Sequence, residues 1–317
     1  MPDDAGHVPV LLDEVIELLD PKPGDAVIDC TAGRGGHAAA LVERIGPGGV
    51  LLALDRDADN AAYTRQRLAP IAERVGATAH VEHASFAETE AVRDRLGLGG
   101  VNVVLADLGF ASNQMDDASR GLSFQADGPL DMRLDATGAT GGGPTAGELV
   151  NELDEKSLAD LIYEFGEERL SRRIARNIVA ARREGPISTT QELARLVRRA
   201  YGPRAGGRVD PATRTFMALR IAVNDELVAL DRLLDQVERL LKPGGRVGVI
   251  SFHSLEDRRV KHRWAEAAQQ GRLLRVTRKP VTADDEECRA NPRARSAKLR
   301  VAELVEATHD APPTRTR

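Results

Sequence analysis

Four short apolar runs, each closed by polar residues or glycine, set the rhythm of the first third of the chain. They are "DAVIDC" (25–30), "GVLLALD" (49–55), "AHVEHAS" (79–85) and "VNVVLADLG" (101–109). Stretches with helical spacing lie between them, among them "AAALVERIG" (38–46), "ADNAAYTRQRLAPIAERV" (58–75) and "TEAVRDRLG" (89–97). Strand–helix alternation of this kind predicts a parallel sheet with right-handed crossovers. The rhythm stops after Phe110. From about Met115 to Val209 no run reads as a strand, and three helices are predicted over 155–166, 167–185 and 189–202. Thr189 and Glu192 have capping-box spacing at the start of the last. Residues 211–241 read as one long amphipathic helix, "GGRVGVISF" (244–252) restores a strand, and "RLLRVTRKPV" and "SAKLRVAELV" supply two late ones. An all-helical block therefore interrupts an α/β sheet between its fourth and fifth strands. The expected division is a discontinuous core, 1–114 and 210–310, an insertion, 115–209, and a loose tail, 311–317. "GATGGGPTAG" (138–147) is a flexible loop by composition.

At 317 residues with 42% hydrophobic and 29% charged residues, the chain has the balance of an ordinary globular protein. The N-terminus carries acids where a secretion signal needs positive charge, and no apolar run approaches a membrane span. Two distant cysteines, Cys30 and Cys288, exclude a C-x-x-C zinc site and a disulfide framework, so a cytoplasmic location and no bound metal are expected. Cys30 reads as a small residue in the turn. Charge changes the picture more. Residues 1–160 hold 28 acids and 12 bases, a balance of −16, whereas 161–317 carry +11. The bases cluster at 169–183, 195–208, 258–264 and 291–300. A solvated helix face explains any one cluster, but four in one half point to a polyanion. Aromatic residues are only 3%, so stacking platforms for single strands are sparse.

Candidate chemistry begins at "VIDCTAGRGGH" (27–37), where a strand ends on glycines before a helix. Such a corner aims backbone N–H groups and a positive helix end at a ligand. Gly33, Gly35 and Ala38 satisfy G-x-G-x-x-[GA], and Asp55 ends the next strand about twenty residues on, as a ribose-binding acid does. Nicotinamide dinucleotides and S-adenosylmethionine both fit this pattern, and so does a turn that only packs. Asp29, placed before the glycines, would repel a pyrophosphate and suits an amino group and a sulfonium. Asp107 closes the fourth predicted strand at the edge where open α/β sheets bind ligands. Three acids at three strand ends argue for a small ligand with cationic and hydroxyl groups.

Eight blocks in order carry a specific resemblance: "HVPVLLDEV", "DCTAGRGGH", "LALDRD", "DGPLDMRLD", "GEERLSRRIARNIV", "PATRTFMALRIAVNDEL", "GGRVGVISFHSLEDRRVK" and "NPRARSAKLRV". From about His7 to Leu304 the chain resembles the ribosomal RNA small subunit methyltransferase H family. The resemblance implies a class I, Rossmann-like seven-stranded methyltransferase sheet with a helical insertion, and a bacterial cytoplasmic enzyme. It implies S-adenosylmethionine as cofactor and the N4 amino group of a P-site cytidine in 16S ribosomal RNA as target. By position, it places Gly35, Gly36 and His37 at the methionine end of the cofactor, Asp55 on the ribose, Phe86 against adenine, and Asp107 and Gln114 completing the pocket.

An exocyclic cytosine amine is a weak nucleophile because its lone pair is delocalised into the ring. Positioning it in line with the methyl–sulfur bond, with an acceptor on its N–H, supplies most of the rate. Asp107 or a backbone carbonyl of "LGFAS" is the candidate acceptor; His253 and Ser254 are the alternative, Ser254 reading equally as a helix N-cap. The family commonly shows D-L-G-V-S-S where this chain has "DLGFAS" followed by Asn113. Phe110 and Ala111 remove the first serine hydroxyl and leave Ser112 and Asn113 as the polar groups at hand. Two rivals stand beside the methyltransferase reading: an NAD-dependent oxidoreductase, and a non-catalytic ribosome assembly factor that only binds cofactor and RNA.

Overall fold

The computed structural model describes residues 9–140, 143–202 and 210–306. Glycines 141–142 of the expected loop and the expected tail 311–317 lie outside the described residues. The chain forms two compact units. One comprises Met1–Asp55, Asp59–Gly109 and Asp231–Arg317; the other comprises Arg56–Ala58 and Phe110–Leu230.

The first unit is built on a seven-stranded sheet: β1 (Ala26–Asp29), β2 (Val50–Asp55), β3 (Thr78–His83), β4 (Val101–Asp107), β5 (Leu241–Ser251), β6 (Leu273–Arg275) and β7 (Lys298–Leu304). Their order across the sheet is β3-β2-β1-β4-β5-β7-β6. β1 to β5 pair in parallel, and β7 runs antiparallel to β5 and β6. The central strands, buried on both faces, read as near-continuous apolar runs, which is how such strands avoid exposing either side to water. Helices α1 (Leu12–Leu19), α2 (Gly36–Ile45), α3 (Ala58–Val75) and α4 (Thr89–Arg95) precede the fourth strand. The hydrophobic pattern does not mark α1, because Asp13 and Glu14 interrupt its apolar residues. It buries Val15 and Leu19 on one stripe and leaves Asp13 and Glu14 in its first turn, where acids suit the helix dipole. Leu41, Val42 and Ile45 of α2 join Leu51, Leu68, Leu105 and Val301 in one apolar core. β5 begins at Leu241, three residues before the expected start, and ends at Ser251.

The second unit packs α5 (Ser112–Asp116), α6 (Ala146–Glu152), α7 (Glu155–Gly166), α8 (Ser171–Ala181), α9 (Thr190–Tyr201) and α10 (Ala212–Asn224). Its described residues contain no strand, only an isolated bridge between Pro129 and Thr189. Side-chain oxygens cap its helices: Thr145 for α6, Asp154 for α7 and Thr189 for α9, each accepting first-turn N–H groups. This unit is larger than the expected insertion 115–209, because Ala212, Phe216, Leu219 and Val223 of α10 share a core with Leu158, Ile162, Ile174 and Val197.

The single helix expected over 211–241 is two. α10 stops at Asn224, Asp225 turns left-handed (φ 50°), and α11 (Glu226–Leu240) starts anew. The cause is Asn224, whose buried amide accepts the Leu134 N–H and donates to the Met132 carbonyl, holding the chain to that loop. After β5 come α12 (Ser254–Gln269) and the short α13 (Asp285–Ala290). No helix among the described residues is long and apolar enough to cross a membrane.

Candidate active site

β1 lies where the crossovers reverse direction, with β2 and β3 on one side and β4 and β5 on the other. The carboxyl ends of strands flanking such a switch point form a crevice. Here β1 is short: Asp29 pairs in register with Ala53 and Leu105, so Asp55 and Asp107 each lie two residues further along their strands. The glycine turn fills the step.

That turn is fixed by long-range hydrogen bonds. Gly33 and Gly35 adopt φ of 53° and 75°, a region that favours glycine. Gly33 donates to Asp55 Oδ2 at 2.7 Å, and its carbonyl accepts the Thr64 hydroxyl at 2.9 Å. A Cβ on Gly36 would stand 2.9 Å from Pro9 Cγ, so the backbone passes where a side chain cannot. Asp55 thus sits at the glycine turn, at the end of β2.

The other two strand-end acids are unusual. Asp29 Oδ1 accepts the Thr31 N–H at 3.0 Å, but its Oδ2 is buried with no hydrogen-bond partner among the described residues. Burial pushes its carboxyl up to about 6. Asp107 has 21% of its side chain exposed, yet its Oδ1 is likewise buried without a partner among them. Burial, then the charges of Asp29 and Glu256, raise it well above the ordinary carboxylate range. Thr31 stands inside the glycine block but carries no signal of its own there, and it joins the two strands: its hydroxyl accepts the Asp107 N–H at 2.6 Å. His37, buried at the start of α2, lies between Val10 and Asp107. Its Nε2 is 3.0 Å from the Val10 carbonyl oxygen and its Nδ1 is 3.5 Å from Asp107 Oδ2.

Phe86 opens a single 3₁₀ turn after β3 and is half-buried. The Ala84 N–H, two residues before it, bonds the Asp55 carbonyl at 3.0 Å. Cys30 is buried and its thiol is pushed up to about 12, so it serves as the small residue expected.

His253 stands at the start of α12. His253, not Ser254, is the N-cap of α12, with Nδ1 accepting the Glu256 N–H at 3.4 Å and Nε2 lying 3.2 Å from Glu256 Oε1. Glu256 in turn accepts the N–H groups of Phe252 and His253. Nδ1 is thus held by the first turn of the helix, whereas Nε2 is buried with no hydrogen-bond partner among the described residues. Sequence reasoning misses Glu256, since a glutamate at a third helical position looks like any surface charge.

Within the second unit, Gln114 is buried and spends its amide on neighbours. Its Oε1 accepts the Ala111 N–H at 2.8 Å and its Nε2 donates to Asp57 Oδ2 at 2.8 Å. Arg120 Nη1 meets the same Asp57 oxygen at 2.7 Å. Gln114 therefore ties the segment after β4 to the segment after β2, and caps α5 where Ala111 has no hydroxyl to do so.

A parallel open sheet with an antiparallel seventh strand, a glycine turn after β1 and an acid closing β2 defines the class I methyltransferases. The chain belongs to the MraW methylase family, whose description matches residues 4–305. Among curated relatives, the Ribosomal RNA small subunit methyltransferase H of Nitratidesulfovibrio vulgaris is 50% identical, covering 98% of this chain and 89% of the relative. The protein of the same name from Acidobacterium capsulatum is 49% identical, covering 94% and 98%. That from Sorangium cellulosum is 49% identical, covering 96% and 92%. Membership of a methylase family removes the oxidoreductase reading.

Proposed function

We propose that the chain transfers a methyl group from S-adenosylmethionine to the N4 amino group of a P-site cytidine in 16S ribosomal RNA of the small subunit. The observation that carries this reading is the pair of buried, unpartnered carboxylate oxygens on Asp29 and Asp107 beside a glycine turn. Buried carboxylates without donors are costly, and they become favourable when a cation arrives. The cofactor brings an ammonium and a sulfonium, so the residues present fit it. The names of the relatives support the ribosomal substrate.

When bound, the cofactor supplies an electrophilic methyl group on sulfur. Backbone N–H groups around Gly35, Gly36 and His37 hold its methionine end, Asp55 accepts from the ribose hydroxyls, and Phe86 covers the adenine. Gln114 acts through Asp57 and Ala111, setting the loops rather than the chemistry. Asp107 accepts from the target amine, which holds that nitrogen in line and takes up the proton it loses on methylation. In this reading His253 caps and positions α12, and the acceptor for the target amine is Asp107.

The test compares ribosomal RNA by mass spectrometry from a strain lacking the gene, restored with the wild type or with Asp107→Asn. Loss of one methyl from an N4-methylated cytidine, regained only with the wild type, is the expected result. With purified protein at saturating cofactor, Asp107→Asn slows turnover at least tenfold while cofactor affinity changes less. A methyl count unchanged by the deletion overturns the reading and favours an assembly factor.

A further inference from the structure

We propose that His37 and Asp107 hold one proton between them in the cofactor-free site, and that S-adenosylmethionine binding expels it and so converts Asp107 into an acceptor. This rests on the cofactor reading above and concerns the same site. A backbone carbonyl only accepts, so the 3.0 Å contact with Val10 fixes the proton of the neutral ring on Nε2. Nδ1 then faces Asp107 Oδ2 at 3.5 Å. With a neutral imidazole and an ionised carboxylate, a lone pair would oppose a negative charge inside the protein. One proton between the two atoms makes the contact attractive, whichever atom carries it, so the two titrate as a pair.

The surroundings favour keeping that proton. Asp29 of β1 and Glu256 of α12 are the charged groups that act on Asp107 from its neighbours, and both are acidic. No donor among the described residues reaches Asp107 Oδ1. The missing positive charge is what the ligand carries: S-adenosylmethionine has an ammonium and a sulfonium against one carboxylate, a net charge of plus one. S-adenosylhomocysteine lacks the sulfonium and is neutral overall. Arrival of the cation lowers the affinity of the pair for its proton, which passes to solvent. The carboxylate left behind is the form that accepts a proton from an amine. The site therefore becomes competent only when the methyl donor is present, and loses that competence when the sulfonium charge is consumed.

Linkage sets the sign. The pair binds its proton more tightly in the free protein than in the complex, so affinity for S-adenosylmethionine rises with pH until the free pair is deprotonated. The slope approaches tenfold in Kd per pH unit between the two titrations. Calorimetry of the full chain near pH 7, in phosphate and in Tris, reads the released protons from the difference in apparent enthalpy. We expect about one proton on binding S-adenosylmethionine, clearly fewer with S-adenosylhomocysteine, and none attributable to the pair in Asp107→Asn. Equal enthalpies in the two buffers, with a Kd that does not change between pH 6 and 8, overturn the inference and leave the cofactor reading intact. A release that survives in Asp107→Asn also overturns it, by assigning the proton to Asp29. Should that variant fail to fold, the pH series and the comparison of the two ligands on the wild type decide alone. Absence of binding at every pH overturns both readings.

Discussion

Asp55 illustrates how one carboxylate serves two ends. Its Oδ2 already holds the Gly33 N–H, so it shapes the glycine turn before any ligand arrives. In our reading it also accepts from the ribose. Asp55→Ala is expected to weaken S-adenosylmethionine binding by about 1.5–3 kcal/mol, the scale of a hydrogen bond to a charged group. Calorimetry measures this directly, and an unchanged dissociation constant removes Asp55 from the site. Asp29, Asp55 and Asp107 were legible in the sequence because strand-end acids stand out against apolar runs. Thr31 and Glu256 were not, since nothing local shows that the Thr31 hydroxyl will meet the Asp107 N–H 76 residues on, or that the charge of Glu256 will act on Asp107.

Elements obey their local signals except where a buried partner overrules them. The caps at Thr145, Asp154 and Thr189 form where Thr and Asp precede helical runs. The break between α10 and α11 does not announce itself, because the apolar periodicity runs straight through Asp225. A non-glycine residue in the left-handed region is strained, so Asp225→Gly is expected to stabilise the fold by about 0.5–1 kcal/mol. Thermal unfolding checks this; a lower midpoint would show that the aspartate side chain contributes more than the strain costs. α8 ends at Ala181, which removes Arg183 from the helical face it shares by periodicity with Arg172 and Arg176. Arg182 is committed elsewhere: its guanidinium donates to the carbonyls of Val150 and Leu153, which the end of α6 leaves without helical partners.

Across the whole molecule, the division into −16 and +11 survives folding unevenly. Many C-terminal bases of the first unit meet acids: Arg259 with Asp231, Arg263 with Asp235, Arg272 with Glu238, and Arg300 with Asp257. In the second unit, α8 presents Arg172 and Arg173 to solvent, and Arg176 makes an exposed pair with Glu155 at 3.7 Å, an interaction worth little. These three arginines are adjacent on the helix surface and can span phosphates, releasing their counterions. Replacing all three with glutamine is expected to weaken binding to the small ribosomal subunit and reduce its salt slope by about one unit for each phosphate no longer neutralised. Cofactor affinity should not move. A triple variant with an unaltered salt slope would make α8 a solvated surface and direct attention to residues 291–300.

Consecutive residues alone encode the alternation of strands and helices, the helical interruption before the fifth strand, the glycine turn and the acids at the strand ends. Hydrophobic period and turn chemistry act locally, so these features can be read along the chain. Which polar groups find partners is settled only by folding. His37 meets a carbonyl 27 residues earlier, Asp107 takes its threonine from 76 residues away, and Asn224 stops a helix by reaching back 92 residues. Satisfaction of a buried polar group depends on what folding brings within about 3 Å, and no local pattern encodes that distance. The two carboxylate oxygens left unsatisfied at the switch point belong to the same category, and they are where our reading places the chemistry.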